Sequence, residues 1–186
     1  INVVQPEWTS LGGVAPIILY HADSNETVTI SGLGKWPMAA SIDLFRQRFG
    51  GDMPQGIPRT VTPAAVDSWL TALELYGTMS FTQVATPALE LAQGGYPASV
   101  FLHRILSGQA RSQEGDVDAL GRWPSTREVF FTQGRPIEPG AVLVQTDLAN
   151  TLKRMMVAEE NSAQRGREAA IDAVRDLFYH GEIAQE

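Results

Sequence analysis

One β-hairpin followed by a long series of helical patterns is the feature that most constrains what this chain can form. Residues 14–20 form an apolar run, residues 23–26 form a polar turn cluster, and residues 27–30 are all β-branched. Such runs on either side of a turn predict a β-hairpin. Because a two-stranded hairpin is only marginally stable by itself, its strands need partners. The predicted fold class is α+β, with many helices and little sheet.

Start and stop signals predict the helices. A capping side chain or a first-turn proline marks each start, and a glycine after the last apolar repeat marks most ends. The predicted helices run from Ser41 to Gly50, from Thr62 to Gly77, from Ser80 to Gly94, from Ser99 to about Ser112, and from Thr146 onward through Leu177. Pro87 is expected to kink or restart its helix, because proline lacks an amide N–H.

The remaining segments are predicted to be irregular. Residues 31–37 are too rich in Gly and Pro for regular structure, and residues 115–140 read as loop with a short strand at residues 129–131. No repeat or linker divides the chain, so residues 1–186 are predicted to be a single domain. The chain begins without Met and ends without a stop signal, which predicts a piece of a longer protein.

Charge and composition exclude several classes of function. The chain has 14 Lys and Arg against 21 Asp and Glu, a formal charge of −7, and its basic residues are scattered. Phosphates and anionic lipids bind clustered positive charge, so we expect neither nucleic acid nor a membrane as a partner. The absence of cysteine excludes disulfides and Cys-ligated metals. The compartment stays open between cytoplasm and periplasm.

The sequence contains no complete set of catalytic or metal-binding residues at a recognisable spacing. The three histidines lack ligand spacing, which favours surface or core roles and predicts no metal site; they are His21, His103 and His180. Two acidic pairs are interpreted as solvated faces; they are Glu159 with Glu160 and Asp116 with Asp118. The glycine-rich stretches 10–13 and 31–34 lack the residues that complete a phosphate or dinucleotide motif. We therefore predict no cofactor.

Several motifs follow one another in an order that carries more information than any one of them. Tyr76-Gly77-Thr78 is followed by Pro87-Ala88, Leu91-Ala92 and Gly95-Tyr96-Pro97, and later by Leu143-Val144-Gln145 and Phe178-Tyr179-His180-Gly181. This order resembles the large subunit of the gamma-glutamyltransferase family. Residues 35–40, Lys-Trp-Pro-Met-Ala-Ala, resemble that family's Arg-Glu-x-Ala-Pro-x-x-Ala turn.

The resemblance implies a partial αββα N-terminal-nucleophile hydrolase fold, helix-rich with a β-hairpin. In that family a precursor cleaves itself into two subunits. The threonine exposed at the start of the small subunit then attacks an amide carbonyl, with its own amine as the base. That threonine is not in this chain, so we assign no catalytic residue here. The expected partner is the small subunit of the same precursor, and the chain alone is expected to be inactive.

The turn that the resemblance assigns to substrate binding, residues 33–37, departs from the family pattern. When Pro37 is aligned with the motif's proline, Leu33 takes the position of the arginine that holds the substrate's α-carboxylate, and Gly34 follows it. Leucine cannot supply the bidentate hydrogen bonds of a guanidinium. Lys35 either holds a carboxylate in a different pose or is a solvated lysine on a turn. These three residues are the predicted substrate-binding residues.

The resulting prediction is an amidohydrolase or acyltransferase of this family that acts on a small amide other than a glutamyl compound. Two alternatives stay open. One is a true gamma-glutamyltransferase with a different carboxylate anchor, and the other is a non-catalytic interaction domain that has kept the fold. Because hairpin strands have unpaired edges, the hairpin is also predicted to dock on another polypeptide, either the rest of the enzyme or a second copy.

Overall fold

The computed structural model describes residues 1–54, 56–108, 121 and 123–186. Two compact units are present: residues 11–78 form one, and residues 1–10 together with 79–186 form the other. The single domain over residues 1–186 stays a prediction. Within the described ranges, no helix combines the length and apolar character needed to span a bilayer.

The predicted hairpin opens the unit formed by residues 11–78. Strands β1 (Ile17–His21) and β2 (Glu26–Ile30) are antiparallel, with Ile17 opposite Ile30 and His21 opposite Glu26. At the turn, Asn25 has a φ of 54°, a left-handed conformation that asparagine tolerates well. Alternation along β1 leaves the side chains of Ile18 and Tyr20 exposed. The hairpin prediction is confirmed.

Helix α1 (Ile42–Phe49) has the predicted ends. The Ser41 hydroxyl accepts a hydrogen bond from the Leu44 N–H at 3.1 Å. Gly50, with a φ of 67°, closes the helix in the left-handed conformation that favours glycine. The preceding residues 31–37 are irregular, as predicted, and a short 3₁₀ helix follows at Ile57–Arg59.

Helix α2 (Ala65–Tyr76) ends at Gly77 as predicted, but its predicted start at Thr62 is wrong. The N–H groups of Ala64 and Ala65 donate to the Gly13 carbonyl oxygen, both at 3.0 Å. A distant backbone acceptor therefore satisfies the first amides, and no side-chain cap is formed. Spacing along the sequence could not reveal this acceptor.

The second unit contains six helices and four short strands among its described residues, together with a 3₁₀ helix at Ala163–Arg165. In chain order they are α3 (Phe81–Gly94), β3 (Tyr96–Pro97), α4 (Val100–Leu106), α5 (Pro124–Phe130), β4 (Phe131–Thr132), β5 (Arg135–Pro136), β6 (Val142–Leu143), α6 (Thr146–Ser162), α7 (Arg167–Tyr179) and α8 (Glu182–Gln185). Strand β3 pairs with β6 and β4 with β5, both antiparallel.

Helix α3 starts at the predicted cap. Ser80 and Gln83 form a reciprocal capping box, and Gly95 follows the last turn. Pro87 lies inside the helix, which continues unbroken to Gly94, so a restart at this proline is excluded. One missing backbone hydrogen bond is a local loss, whereas the buried residues on either side of Pro87 anchor both halves of the helix.

The segment between α3 and α6 differs most from the predictions. Ser99 caps α4 as predicted, but that helix ends at Leu106, and residues 109–112 lie outside the described residues. The predicted loop over residues 115–140 is partly wrong. Helix α5 begins at Pro124, where a missing N–H costs nothing, and the strand predicted at residues 129–131 is shifted to β4. Asp116 and Asp118 lie outside the described residues.

The core of the second unit joins its N-terminal segment to its helices. One buried cluster contains Val3, Ala92, Tyr96, Ala98, Leu102, Leu106, Ile137, Leu143 and Ala149. The buried Gln145 side chain donates to the Val3 carbonyl oxygen at 2.7 Å. Helices α6 and α7, predicted from their apolar periodicity, pack against each other and bury Met155, Ile171 and Val174.

Glu159 requires a correction. It was predicted to lie with Glu160 on a solvated face, yet only 6% of Glu159 is exposed. Its two carboxylate oxygens accept hydrogen bonds from the backbone N–H groups of Phe81 and Thr82 at 2.6 and 2.7 Å. These amides begin α3 and have no partner within the helix, so a buried carboxylate replaces solvent there. Glu160 is exposed, as predicted.

Candidate functional site

The predicted substrate turn is fixed by backbone contacts at two glycines. The Ala15 N–H donates to the Gly32 carbonyl oxygen at 3.0 Å, and Gly32 has a φ of 57°. A Cβ at Gly32 would lie 2.1 Å from the Ala15 carbonyl oxygen. A side chain is therefore excluded both by the conformation and by the close approach. This contact ties the turn to the base of the hairpin.

Gly34 makes the second close approach. A Cβ there would lie 1.8 Å from the Thr62 carbonyl oxygen, and the Thr62 N–H donates to the Lys35 carbonyl oxygen at 2.9 Å. The predicted site residue Gly34 thus has a structural reason to be glycine. The structure holds the backbone of the turn at both ends of the Gly32–Lys35 segment.

The side chains of Leu33 and Lys35 are exposed, with Leu33 at 64% of its full area. Within the described part of the chain, no hydrogen bond or ion pair involves the Lys35 ammonium group. The turn therefore presents one apolar and one cationic side chain next to Gly34. Substrate binding by these three residues stays a prediction.

A cavity lies directly after the turn and was missed by the sequence reasoning. It has a volume of about 530 Å³ and is lined by Trp36, Ala40, Ser41, Ile42, Phe45, Arg46, Gly51 and Met53. The signal that could have found it is the number of large apolar residues beside a short amphipathic helix, more than that helix can bury. Met38 and Ile42 are indeed exposed, and Trp36 and Met53 are about half exposed.

Each histidine is held in its own local network. The His103 Nδ1–H donates to the Ile137 carbonyl oxygen at 2.9 Å, which leaves Nε2 to accept from the Ser107 hydroxyl at 3.2 Å. His21 contacts the hydroxyl of Ser24, and His180 contacts the Asp176 carboxylate. Among the described residues, no group of three or more His, Asp or Glu side chains could hold a metal ion.

Comparison with known proteins gives a consistent picture. The sequence model of the gamma-glutamyltranspeptidase family matches residues 1–186. The glutathione hydrolase-like YwrD proenzyme of Bacillus subtilis (strain 168) is 30% identical over 186 residues, which cover 100% of this chain and 31% of that protein. The Acylase ACY 1 proenzyme of Pseudomonas sp. (strain SE83) is 29% identical over 178 residues, or 89% of this chain and 30% of that protein.

The fold is also found among solved structures. The crystal structure of Helicobacter pylori gamma-glutamyltranspeptidase superposes with a TM-score of 0.77 at 24% identity and covers 99% of this chain and 48% of that chain. Of the two proenzymes described above, this chain spans about a third of the length.

Proposed function

The chain belongs to the gamma-glutamyltranspeptidase family, and from this premise we propose that it is part of an amidohydrolase or acyltransferase whose substrate is a small amide without a γ-glutamyl group. The observation that carries the proposal is Leu33, which occupies the exposed position of the turn where the resembled motif has a carboxylate-binding arginine. Close backbone contacts at Gly32 and Gly34 fix the conformation of the turn. The side chain at position 33 can therefore differ from the family's arginine while the turn keeps its backbone conformation.

The proposed chemistry depends on a threonine outside these 186 residues. Its α-amine takes the proton of its own hydroxyl, and the oxygen attacks the amide carbonyl to form a tetrahedral intermediate. The amine product leaves with that proton, and water or an acceptor amine then resolves the acyl ester. In this scheme the present chain supplies no reacting atom and contributes the substrate turn. The partner of the chain is a small subunit cleaved from the same precursor, in agreement with the proenzyme names of the relatives.

A substrate panel tests this proposal on the complete protein that carries this chain. We expect simple acyl p-nitroanilides to have a higher kcat/KM than γ-glutamyl-p-nitroanilide. The purified 186-residue chain alone should turn over neither compound. If the γ-glutamyl compound is preferred by about tenfold or more, a full order of magnitude in transition-state binding, the interpretation of Leu33 is wrong.

Two variants at the turn make the same test sharper. Leu33→Arg should raise kcat/KM for the γ-glutamyl compound by about tenfold or more, because a charge-assisted bidentate pair is restored. Leu33→Met is the matched control. It should leave kcat/KM for both substrates nearly unchanged, since it keeps an apolar side chain of similar volume.

The exposed Lys35 ammonium favours a second candidate, a true gamma-glutamyltransferase that uses this lysine as its carboxylate anchor. In that case Lys35→Ala would selectively raise KM for γ-glutamyl substrates. If Lys35 is only a solvated residue of the turn, the substitution leaves the ratio between γ-glutamyl and simple acyl substrates unchanged. Assaying Lys35→Ala with the same substrate panel therefore separates the two candidates.

A further inference from the structure

The cavity after the substrate turn has the size and wall chemistry of a small-molecule site. Its volume of about 530 Å³ lies within the range of roughly 300–1,000 Å³ that is usual for ligand pockets. All of its lining residues belong to the segment 36–53, within the unit formed by residues 11–78. The lining residues therefore all belong to one compact unit.

Aromatic and aliphatic side chains form most of the wall. Trp36 and Phe45 meet edge to face, with ring centroids 5.7 Å apart and an interplanar angle of 89°. Ile42 and Met53 add aliphatic and thioether surface. Such walls suit a flat apolar body, since rings pack favourably against ring edges and against sulfur.

The polar groups of the wall are few and have different roles. The Ser41 hydroxyl is already used as the cap of α1, where it accepts from the Leu44 N–H. Arg46 is the cation of the lining, and in the described part of the chain its guanidinium group makes no hydrogen bond or ion pair. Arg48, two residues later, does not line the cavity; its guanidinium lies over the Phe49 ring at 5.8 Å.

The charge of the lining itself, rather than that of the surrounding segment, favours an anion. Arg46 is the one charged residue of the lining, whereas the whole segment 36–53 has two basic side chains, Arg46 and Arg48, and two acidic ones, Asp43 and Asp52, a net charge of 2 − 2 = 0. The whole chain has a net charge of −7. A cation beside an apolar pocket is complementary to a ligand with an apolar body and one negative charge.

We propose that this cavity binds a small aromatic carboxylate, with its ring against the apolar wall and its carboxylate paired with Arg46. The inference rests on the proposed function in one respect: such a carboxylate is the acyl product of a cleaved amide and would identify the substrate's acyl group as aromatic. The cavity residues follow directly after the predicted substrate residues Leu33, Gly34 and Lys35, so the two features are continuous along the chain.

Direct binding tests the proposal without relying on catalysis. Isothermal titration of the complete protein with phenylacetate should give a Kd of about 1 mM or tighter, as expected for a ligand of this size. Phenylacetamide, which is similar in shape but uncharged, should bind about tenfold more weakly because it cannot form a charge-assisted pair with Arg46.

Variants then assign the binding to this cavity. Arg46→Gln should weaken phenylacetate binding about tenfold and leave phenylacetamide within about twofold, because only the charged pair is lost. Arg48→Gln is the matched control on the same helix and should leave both affinities unchanged. Ala40→Phe should abolish binding of both compounds by filling the cavity, while an unchanged circular dichroism spectrum shows that the protein remains folded.

Three results would overturn the proposal. The first is no saturable phenylacetate binding at about ten times the expected Kd, which would also be the outcome if the rest of the polypeptide covers the cavity. The second is an equal effect of Arg46→Gln and Arg48→Gln, and the third is full binding by Ala40→Phe. Cleavage of acyl anilides without phenylacetate binding would reject this inference alone. Specific phenylacetate binding without cleavage of any amide would reject the proposed function alone.

Discussion

The buried carboxylate of Glu159 should be a major contributor to the stability of α3. It accepts two backbone hydrogen bonds, from Phe81 at 2.6 Å and from Thr82 at 2.7 Å, and Glu159 itself is only 6% exposed. A hydrogen bond to a charged group contributes about 1.5–3 kcal/mol. Glu159→Gln keeps one acceptor oxygen but turns an NH₂ group toward the other N–H. We therefore expect a loss of about 2–3 kcal/mol.

Native-state hydrogen exchange measures this loss where it occurs. A loss of about 2–3 kcal/mol corresponds to exchange that is roughly 30- to 160-fold faster at the amides of Phe81 and Thr82. Glu160→Gln is the matched control, since Glu160 is adjacent and exposed, and it should change stability by less than about 0.5 kcal/mol. Equal exchange rates in the two variants would show that the Glu159 carboxylate does not hold the start of this helix.

Two further predictions concern Tyr96 and the hairpin. Burial, with a smaller effect of Glu7, raises the pKa of Tyr96 from 10.0 to about 12. The folded state therefore holds this proton more tightly, and up to about 3 kcal/mol of stability that is present below pH 10 is lost as the pH rises toward 12. Tyr96→Phe should abolish this loss in urea unfolding measured across that range, and a parallel pH dependence in both proteins would contradict it. For the hairpin, the exposed Ile18 and Tyr20, at 79% and 60%, predict that light scattering of the isolated chain reports a dimer or larger species. Ile18→Lys should shift that species toward monomer, whereas a stable wild-type monomer with the hairpin fully solvated would refute docking of the hairpin.

Local signals in the sequence predicted much of the fold. The caps Ser41, Ser80 and Ser99 lie where the predicted helices begin, because each hydroxyl satisfies an amide only three residues away. The hairpin followed equally from local composition. The errors occurred where the hydrogen-bond partner is distant along the chain. The first amides of α2 donate to the Gly13 carbonyl oxygen, and the Glu159 carboxylate accepts from amides that are 77 and 78 positions away.

The candidate site was predicted only in part for the same reason. Motif order singled out the turn at Leu33, Gly34 and Lys35, but its rigidity depends on contacts with Ala15 and Thr62, which no local pattern shows. The cavity that follows the turn depends on the three-dimensional placement of Trp36, Met53 and residues of α1 around one space. Spacing indicated that α1 exists, but not what its apolar face encloses.

The turn at residues 32–35 contains two positions that the fold requires to be glycine and two exposed positions that are free to vary. Gly32 and Gly34 face backbone carbonyl oxygens at distances that no side chain tolerates, so substitutions there displace the turn itself. Leu33 and Lys35 point into open space and can change without cost to that backbone. Under the proposed function, a change from arginine to leucine at this position alters recognition while the backbone of the turn is preserved. On that proposal, variants at position 33 report on specificity rather than on folding, because Leu33 is exposed and the backbone on either side of it is held at Gly32 and Gly34.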